Sequence, residues 1–279
     1  MSLTTILVCL TTSDHADTLM KAAVPLARKH NAHLIGIHTV EALIVYPSIA
    51  IHVPETSFTL FHESQKAESD AVAAIFDKHV KAETFPYEFR LLRAESSSAA
   101  DRLVESARAA DLVFMAHEDK GIDRYDQRHI QSKVIRQSGR PVIVVPLDYD
   151  GPVVGSNIVL GWSDTRETAR AAHDLLTVAD EAANVTVLRV DKSGQDPMRD
   201  YDGIDIADTL ARHGMKTTLE HREPAGEAVA SVLNQVAFEK GADLIVTGAF
   251  GHSKAYDFVI GATTYAMLKD ADLPVMFSK

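Results

Sequence analysis

The chain repeats itself, and this repeat limits its fold more tightly than any other feature. TTILVCLTTSDHADT near the N-terminus has a counterpart in SNIVLGWSDTRET from Ser156 onward. Each is a short apolar run ending in Ser-Asp and followed by a helical pattern. Leu19, Met20, Ala23, Leu26 and Ala27 share one face in the first copy, and Ala169, Ala172, Leu175, Leu176 and Ala179 do so in the second. Further on, DLVFMA (Asp111 to Ala116) matches DLIVTG (Asp243 to Gly248), and RPVIVVP matches LPVMFSK at the C-terminus. Four landmarks in the same order describe a duplication.

Each copy alternates apolar runs with helical patterns. In the second the strands read NIVLGW, VTVLRV, KTTLEH, DLIVTG and PVMFS. GEAVASVLNQVAFEK, between the third and fourth, places Val229, Val232, Leu233, Val236 and Ala237 on one helical face. In the first copy Ser98-Ala-Ala-Asp101 fits a capping box opening the corresponding helix. Mostly apolar strands without strict alternation, separated by amphipathic helices, imply a parallel sheet covered on both faces. A length of 279 residues suits two domains of about 140 residues. Their expected extents are 1–148 and 154–279, joined by the Gly/Pro/Asp-rich DYDGPVVGS. The last strands, Pro141 to Pro146 and Pro274 to Ser278, are apolar and fall at a sheet edge, so the two halves are expected to pack through them.

One insertion breaks the symmetry. The first copy carries EALIVYPSIAIHVPETSFTLFHES after its second strand, with Pro47 and Pro54 opposing regular helix before the next helical pattern. A loop this apolar, from Leu43 to His62, is expected to pack on its own domain or to cover a pocket or partner.

Charge excludes several function classes. Lys and Arg number 28 against 39 Asp and Glu, a net charge of -11. That balance argues against nucleic-acid binding through phosphate neutralisation and against a polybasic membrane footprint. No apolar run reaches the roughly 18 residues of a membrane span, and the N-terminus lacks the basic leader of a signal peptide, so a cytoplasmic location is expected. Cys9 reads as a buried thiol. His52, His62 and His79 have no metal-ligand spacing and no Cys partner.

The stretch TGAFGHSKAYDFVIGATTYAML carries the chemistry. Gly248 and Gly251 fall just past the fourth strand, and Gly261 immediately precedes the helical ATTYAMLKD. Ligands of parallel α/β sheets collect at the carboxyl ends of strands, and exposed N–H groups at Ala262 and Thr263 would favour an anion. Thr263 or Thr264 could add a hydroxyl, with His252 and Lys254 the nearby basic side chains and Asp257 opposing them. A helix-capping turn accounts for the glycines equally well.

The spacing G-x2-G-x9-G after a fourth strand, with AFGHSKAYDFVIG, the Leu-Pro-Val before the last strand and Trp-Ser-Asp-Thr-Arg-Glu after the first, resembles the universal stress proteins. The resemblance spans essentially the whole chain. It implies two tandem five-stranded parallel-sheet Rossmann-like domains of the adenine nucleotide alpha hydrolase-like type, in a pseudo-twofold arrangement. It also implies ATP, with phosphates against the backbone at Gly248, Gly251, Gly261, Ala262 and Thr263, Thr247 beside them in the binding set, an acidic residue after the first strand (Asp164, or Ser163 in its place) meeting adenine or ribose, and Val190 lining the adenine pocket. The family pattern wants Ser or Thr directly after the third glycine, and Ala262 stands there instead. Asp164, with Glu167 three residues on, reads equally as a helix N-cap, and Val190 as plain core.

The first copy has lost this pattern. In AHEDKGIDRYDQRHIQSK, Ala116, Asp119 and Arg128 or His129 replace the three glycines, and Glu118 and Asp119 would repel phosphate. Asp14 keeps the acidic position but reads as a helix cap. One nucleotide per chain, in the second domain, is therefore expected. No Walker loop, Ser-Gly-Gly loop or G-x-S-x-G elbow is present, and no base and positioned water are legible, so an enzyme is not expected. A nucleotide-responsive regulatory stress protein and a ligand-independent interaction module both remain open, as do a protein partner and a homodimer.

Overall fold

Ten of the apolar runs join into one sheet. The computed structural model describes residues 2–41, 54–94, 98–119, 124–153, 155–191, 200–251 and 261–279. The first half runs β1 (Thr5–Cys9), α1 (Ser13–His30), β2 (His33–Glu41), α2 (Glu55–Val80), β3 (Tyr87–Ala94), α3 (Ala99–Ala107), β4 (Leu112–Ala116), α4 (Arg124–Gln137) and β5 (Val142–Val145). The second runs β6 (Asn157–Trp162), α5 (Arg166–Asp174), a 3-10 turn (Leu175–Thr177), β7 (Asn184–Val190), α6 (Asp200–Arg212), β8 (Lys216–Arg222), α7 (Val229–Glu239), β9 (Leu244–Gly248), α8 (Ala262–Asp270) and β10 (Val275–Ser278).

Strand order is β3-β2-β1-β4-β5-β10-β9-β6-β7-β8. Within each half all neighbours are parallel, as strands joined by helical crossovers require. The exception is the seam. There β5 and β10 pair antiparallel, with Met276 opposite Ile143 and Phe277 opposite Val142. The expectation that the halves meet through their last strands holds, because each would otherwise present a bare apolar edge. Both faces of the sheet are buried. One packs against α1, α2, α5 and α6 through Ile6, Phe114, Ile143, Leu160 and Met276, and the other against α3, α4, α7 and α8 through Leu7, Val113, Val142, Ile245 and Phe277. Cys9 lies on the second face, where burial pushes its thiol up to about 12 and leaves it without thiolate character.

Helix starts depart from the sequence reading at three places. Ser98 caps α3 as expected, accepting from the Asp101 N–H. Asp14 and Asp164 are not caps. Thr12 and Thr165 hold those positions, leaving Asp14 inside the first turn of α1 and Asp164 exposed before α5. Thr165 accepts from the Thr168 N–H, whereas the start of α1 is satisfied by Glu68 of α2, which accepts from the Ser13 N–H at 2.6 Å and hydroxyl at 2.9 Å. The third departure is α2, which begins at Glu55, so residues 55–62 are helix and not loop. Pro54 sits just before it, where a fixed φ and a missing N–H do no harm. Leu60 is 65% exposed here, whereas Phe58 and Phe61 are half-buried. Residues 42–53, the rest of the expected cover, lie outside the described residues, as does His52. Of the other two histidines, His79 is hydrogen-bonded to Asp17 and His62 is exposed on α2.

The halves also meet around the seam. His117, at the end of β4, is buried and hydrogen-bonded through Nε2 to the Met267 carbonyl of α8 at 3.0 Å. Burial lowers its pKa below the ordinary 6.5, against the Met267 hydrogen bond and the charges of Glu118, Asp270 and Asp148. An unfolded chain therefore binds this proton more readily than the native one. Its contribution is intact above pH 6.5 and is lost as pH falls through that value toward the lowered native one. His30, lowered chiefly by burial, adds in the same direction. Denaturant melts between pH 7.5 and 5 should show stability falling with pH, and His117→Gln, which keeps a donor for Met267, should flatten part of that slope.

Candidate functional site

The carboxyl ends of β6 and β9, with α5 and α8 opening beside them, form the candidate site. Gly261 opens α8 at φ 89°, a left-handed conformation that suits glycine, and no side chain caps the helix among the described residues. The first intrahelical bond runs from the Tyr265 N–H to the Gly261 carbonyl at 2.8 Å. The N–H groups of Ala262 and Thr263 thus have no partner within the helix and lie at its positive end. Ala262 is exposed and Thr263 half-buried. Thr264 is committed elsewhere: its hydroxyl accepts from the Phe250 N–H at 3.0 Å.

Phe250, between the first two glycines, is the pivot of the loop. It holds φ at 53°, unusual for an aromatic residue, and its ring stands edge-on to Tyr265 with centroids 5.5 Å apart. The Arg136 guanidinium of α4, from the other half, lies 3.7 Å above the same ring. Contacts from two helices, Thr264 and Tyr265 of α8 and Arg136 of α4, hold the strained residue in place.

The remaining glycines face protein. A Cβ on Gly248 would lie 2.6 Å from the Thr168 nitrogen and 2.9 Å from the Glu167 Cβ, so this glycine lets the end of β9 approach the first turn of α5. A Cβ on Gly251 would lie 3.1 Å from Glu167 Oε2. Thr247 is buried, and its hydroxyl is directed to the Gly248 carbonyl. Val190 ends β7 half-buried against the second core cluster, in keeping with its core reading. His252, Lys254 and Asp257 lie outside the described residues.

Two charged residues escaped the sequence reading. Glu167 is 4% exposed, and its Oε1 accepts from Arg166 Nε at 2.8 Å and from Lys279 Nζ at 3.0 Å. Lys279 Nζ also donates to the Phe250 carbonyl at 3.0 Å. Burial raises the Glu167 pKa, but the hydrogen bonds from Arg166 and Lys279 outweigh it and leave the carboxyl below its ordinary value. Glu167 was visible in sequence only as a partner for Asp164 in a cap. Lys279 gave no signal, being 112 residues away in the chain.

The matching place in the first half is occupied by its own side chains. Arg128 donates to both oxygens of the buried Glu118, at 2.8 and 3.0 Å. His15 pairs with Asp119 at 2.8 Å, and the Asp119 N–H donates to Gln127 Oε1 at 2.7 Å. The Ala116 carbonyl accepts from Gln131. The acids read as phosphate-repelling are internally paired.

Comparisons with known proteins agree with this architecture. The sequence profile of the universal stress protein family matches residues 3–146 and again 156–279. None of the curated proteins matches the chain in sequence. Among solved structures, a universal stress protein from Archaeoglobus fulgidus superposes with a TM-score of 0.73 at 10% identity, covering 98% of this chain and 96% of that one. A functionally unknown protein from Pseudomonas aeruginosa PAO1 gives 0.63 at 14% identity, covering 99% and 92%. A universal stress protein from Pseudomonas aeruginosa UCBPP-PA14, itself described as putative, gives 0.60 at 15%, covering 99% and 93%. Identities this low speak to the fold, whereas the profile matches each half on its own. The chain belongs to the universal stress protein family, as a member with two such units in tandem.

Proposed function

We propose that the protein is a nucleotide-responsive regulatory stress protein that binds one adenine nucleotide, ATP or a relative, in its second half and performs no designed catalysis on it. The observation that carries the reading is Gly261. It starts α8 in a left-handed turn and, among the described residues, leaves the Ala262 and Thr263 N–H groups free of a side-chain cap at the carboxyl end of β9. The first half, with Arg128, His15 and Gln127 already engaging its acids and loop, supports a single site. Backbone contacts at Gly248, Gly251 and Gly261 would take the phosphates, Val190 would face the base, and Asp164 or Ser163 the ribose. The extents 1–148 and 154–279 remain our division of the chain, with a cytoplasmic setting.

Calorimetry with ATP tests the reading. The wild type should bind one equivalent, and His129→Ala should keep it. Gly261→Val should abolish it, since a branched side chain there meets the Phe250 ring, 2.8 Å from the added Cβ, and cannot relax at positive φ. Thr263→Glu separates lost binding from lost folding, because a carboxylate in a first helical turn favours the helix but opposes phosphate. Its melting temperature should hold while ATP binding falls. Two equivalents bound would overturn the asymmetry.

A second reading has its own support. The glycine loop already faces the Glu167 carboxylate, and the Gly248 Cα already faces α5, as in a pocket given over to packing. The protein would then be an interaction module, alone or as a homodimer, and no adenine nucleoside would bind at millimolar concentration.

A further inference from the structure

We propose that Glu167 is an internal anion that occupies the glycine loop until a ligand phosphate displaces it, with Lys279 passing from the carboxylate to the phosphate. This rests on the nucleotide-binding reading above and adds a charge preference to it.

The geometry is unusual for a residue in a first helical turn. Thr165 already caps α5 through the Thr168 N–H, so Glu167 is not needed as a cap. Its carboxylate, which also takes a hydrogen bond from its own backbone N–H, reaches the neighbouring loop, where Oε2 lies 3.1 Å from the position of a Cβ on Gly251. A carboxylate removed from water this far is unfavourable unless paired and hydrogen-bonded. Among the described residues two cations stabilise it, Arg166 and Lys279, and they meet at Oε1.

The two cations are not equivalent. The Arg166 side chain is 86% exposed and can follow Glu167 outward into solvent. Lys279 is 24% exposed and tied to the Phe250 carbonyl, the residue before Gly251. When the carboxylate leaves, Lys279 stays at the loop with its partner gone. A phosphate oxygen on the Gly251 backbone would restore that pair. Both anions cannot sit there together on one ammonium, since like charges a few ångströms apart repel strongly where water is scarce. The loop should therefore discriminate by ligand charge: adenosine is indifferent to Glu167, a monophosphate must compete with it, and a triphosphate competes most.

The experiment titrates adenosine, AMP and ATP separately into wild type, Glu167→Gln and Lys279→Met at fixed ionic strength, by calorimetry and by the fluorescence of Trp162, the single tryptophan, at the end of β6. Thermal melts accompany each variant, and Gln is chosen because it still accepts from Lys279. Glu167→Gln should bind ATP at least about tenfold more tightly with adenosine affinity unchanged, and Lys279→Met should weaken ATP and leave adenosine alone. ATP affinity that is unchanged or reduced in Glu167→Gln, or an equal gain for adenosine, overturns the displacement while leaving nucleotide binding intact. If none of the three ligands binds any form, the binding reading fails, and this inference with it.

Discussion

Ile143→Asp should leave little folded protein. Ile143 lies fully buried in β5, directly opposite Met276 of β10, on the face shared by the helices of both halves. A carboxylate there has no basic partner in register and must either be buried as a charge or take up a proton. Either way the loss is several kcal/mol, a large share of the 5–15 kcal/mol that holds a typical domain together. The conservative Ile143→Val should lose only about 1 kcal/mol. Expression in the soluble fraction and urea melts of the two variants read the contrast. Normal stability in the aspartate variant would mean that β5 and β10 do not form a buried seam.

Gly248→Val should be nearly as damaging, for a different reason. The obstacle is backbone: the added Cβ falls 2.6 Å from the Thr168 nitrogen and 2.7 Å from the Glu167 carbonyl carbon, neither of which can swing away like a side-chain tip. Relief requires β9 and α5 to separate, and roughly 3 kcal/mol is the expected loss. Gly251→Ala provides the comparison, because its nearest neighbour is the end of the Glu167 side chain at 3.1 Å, which can shift. Its melting temperature should stay near that of the wild type. If Gly248→Val melts where Gly251→Ala does, the close approach of strand to helix is not as tight as described.

These contrasts mark how far the sequence could be read. Uncharged runs of five or six residues announce buried parallel strands, so NIVLGW and LIVTG led directly to β6 and β9. The edge pairing followed from the same logic, since an apolar last strand must be covered. Caps were harder. Thr12, Ser13 and Asp14 are all competent cap residues, and only the path of the chain leaving β1 selects among them. The same holds for Ser163, Asp164 and Thr165. The start of α2 was missed because Pro54 was read as a barrier when it stands where a helix tolerates proline.

The site divides along the same line. Gly261 was legible because a glycine before a helical pattern has a local conformational reason, which its φ of 89° bears out. Glu167, Lys279 and Arg136 were not, because each acts on the loop across the fold. Lys279 reaches it by the closing of β10 against β9, and Arg136 by crossing the seam from α4 to the Phe250 ring. Spacing along the chain carries no trace of such meetings.

The antiparallel seam has a consequence for the copy that lost its glycines. Because β5 and β10 run in opposite directions, the carboxyl ends of the two half-sheets open on opposite edges, and the end of α4 is carried to the edge where the intact loop lies. The first copy serves the second as scaffolding: it covers Val275, Met276 and Phe277 and sets a cation on Phe250. Excised, the second half would bare that strand, and the partner with the same complementary edge is another molecule of itself. Removing the first half would then yield a particle with two of the glycine loops of which the tandem chain carries one.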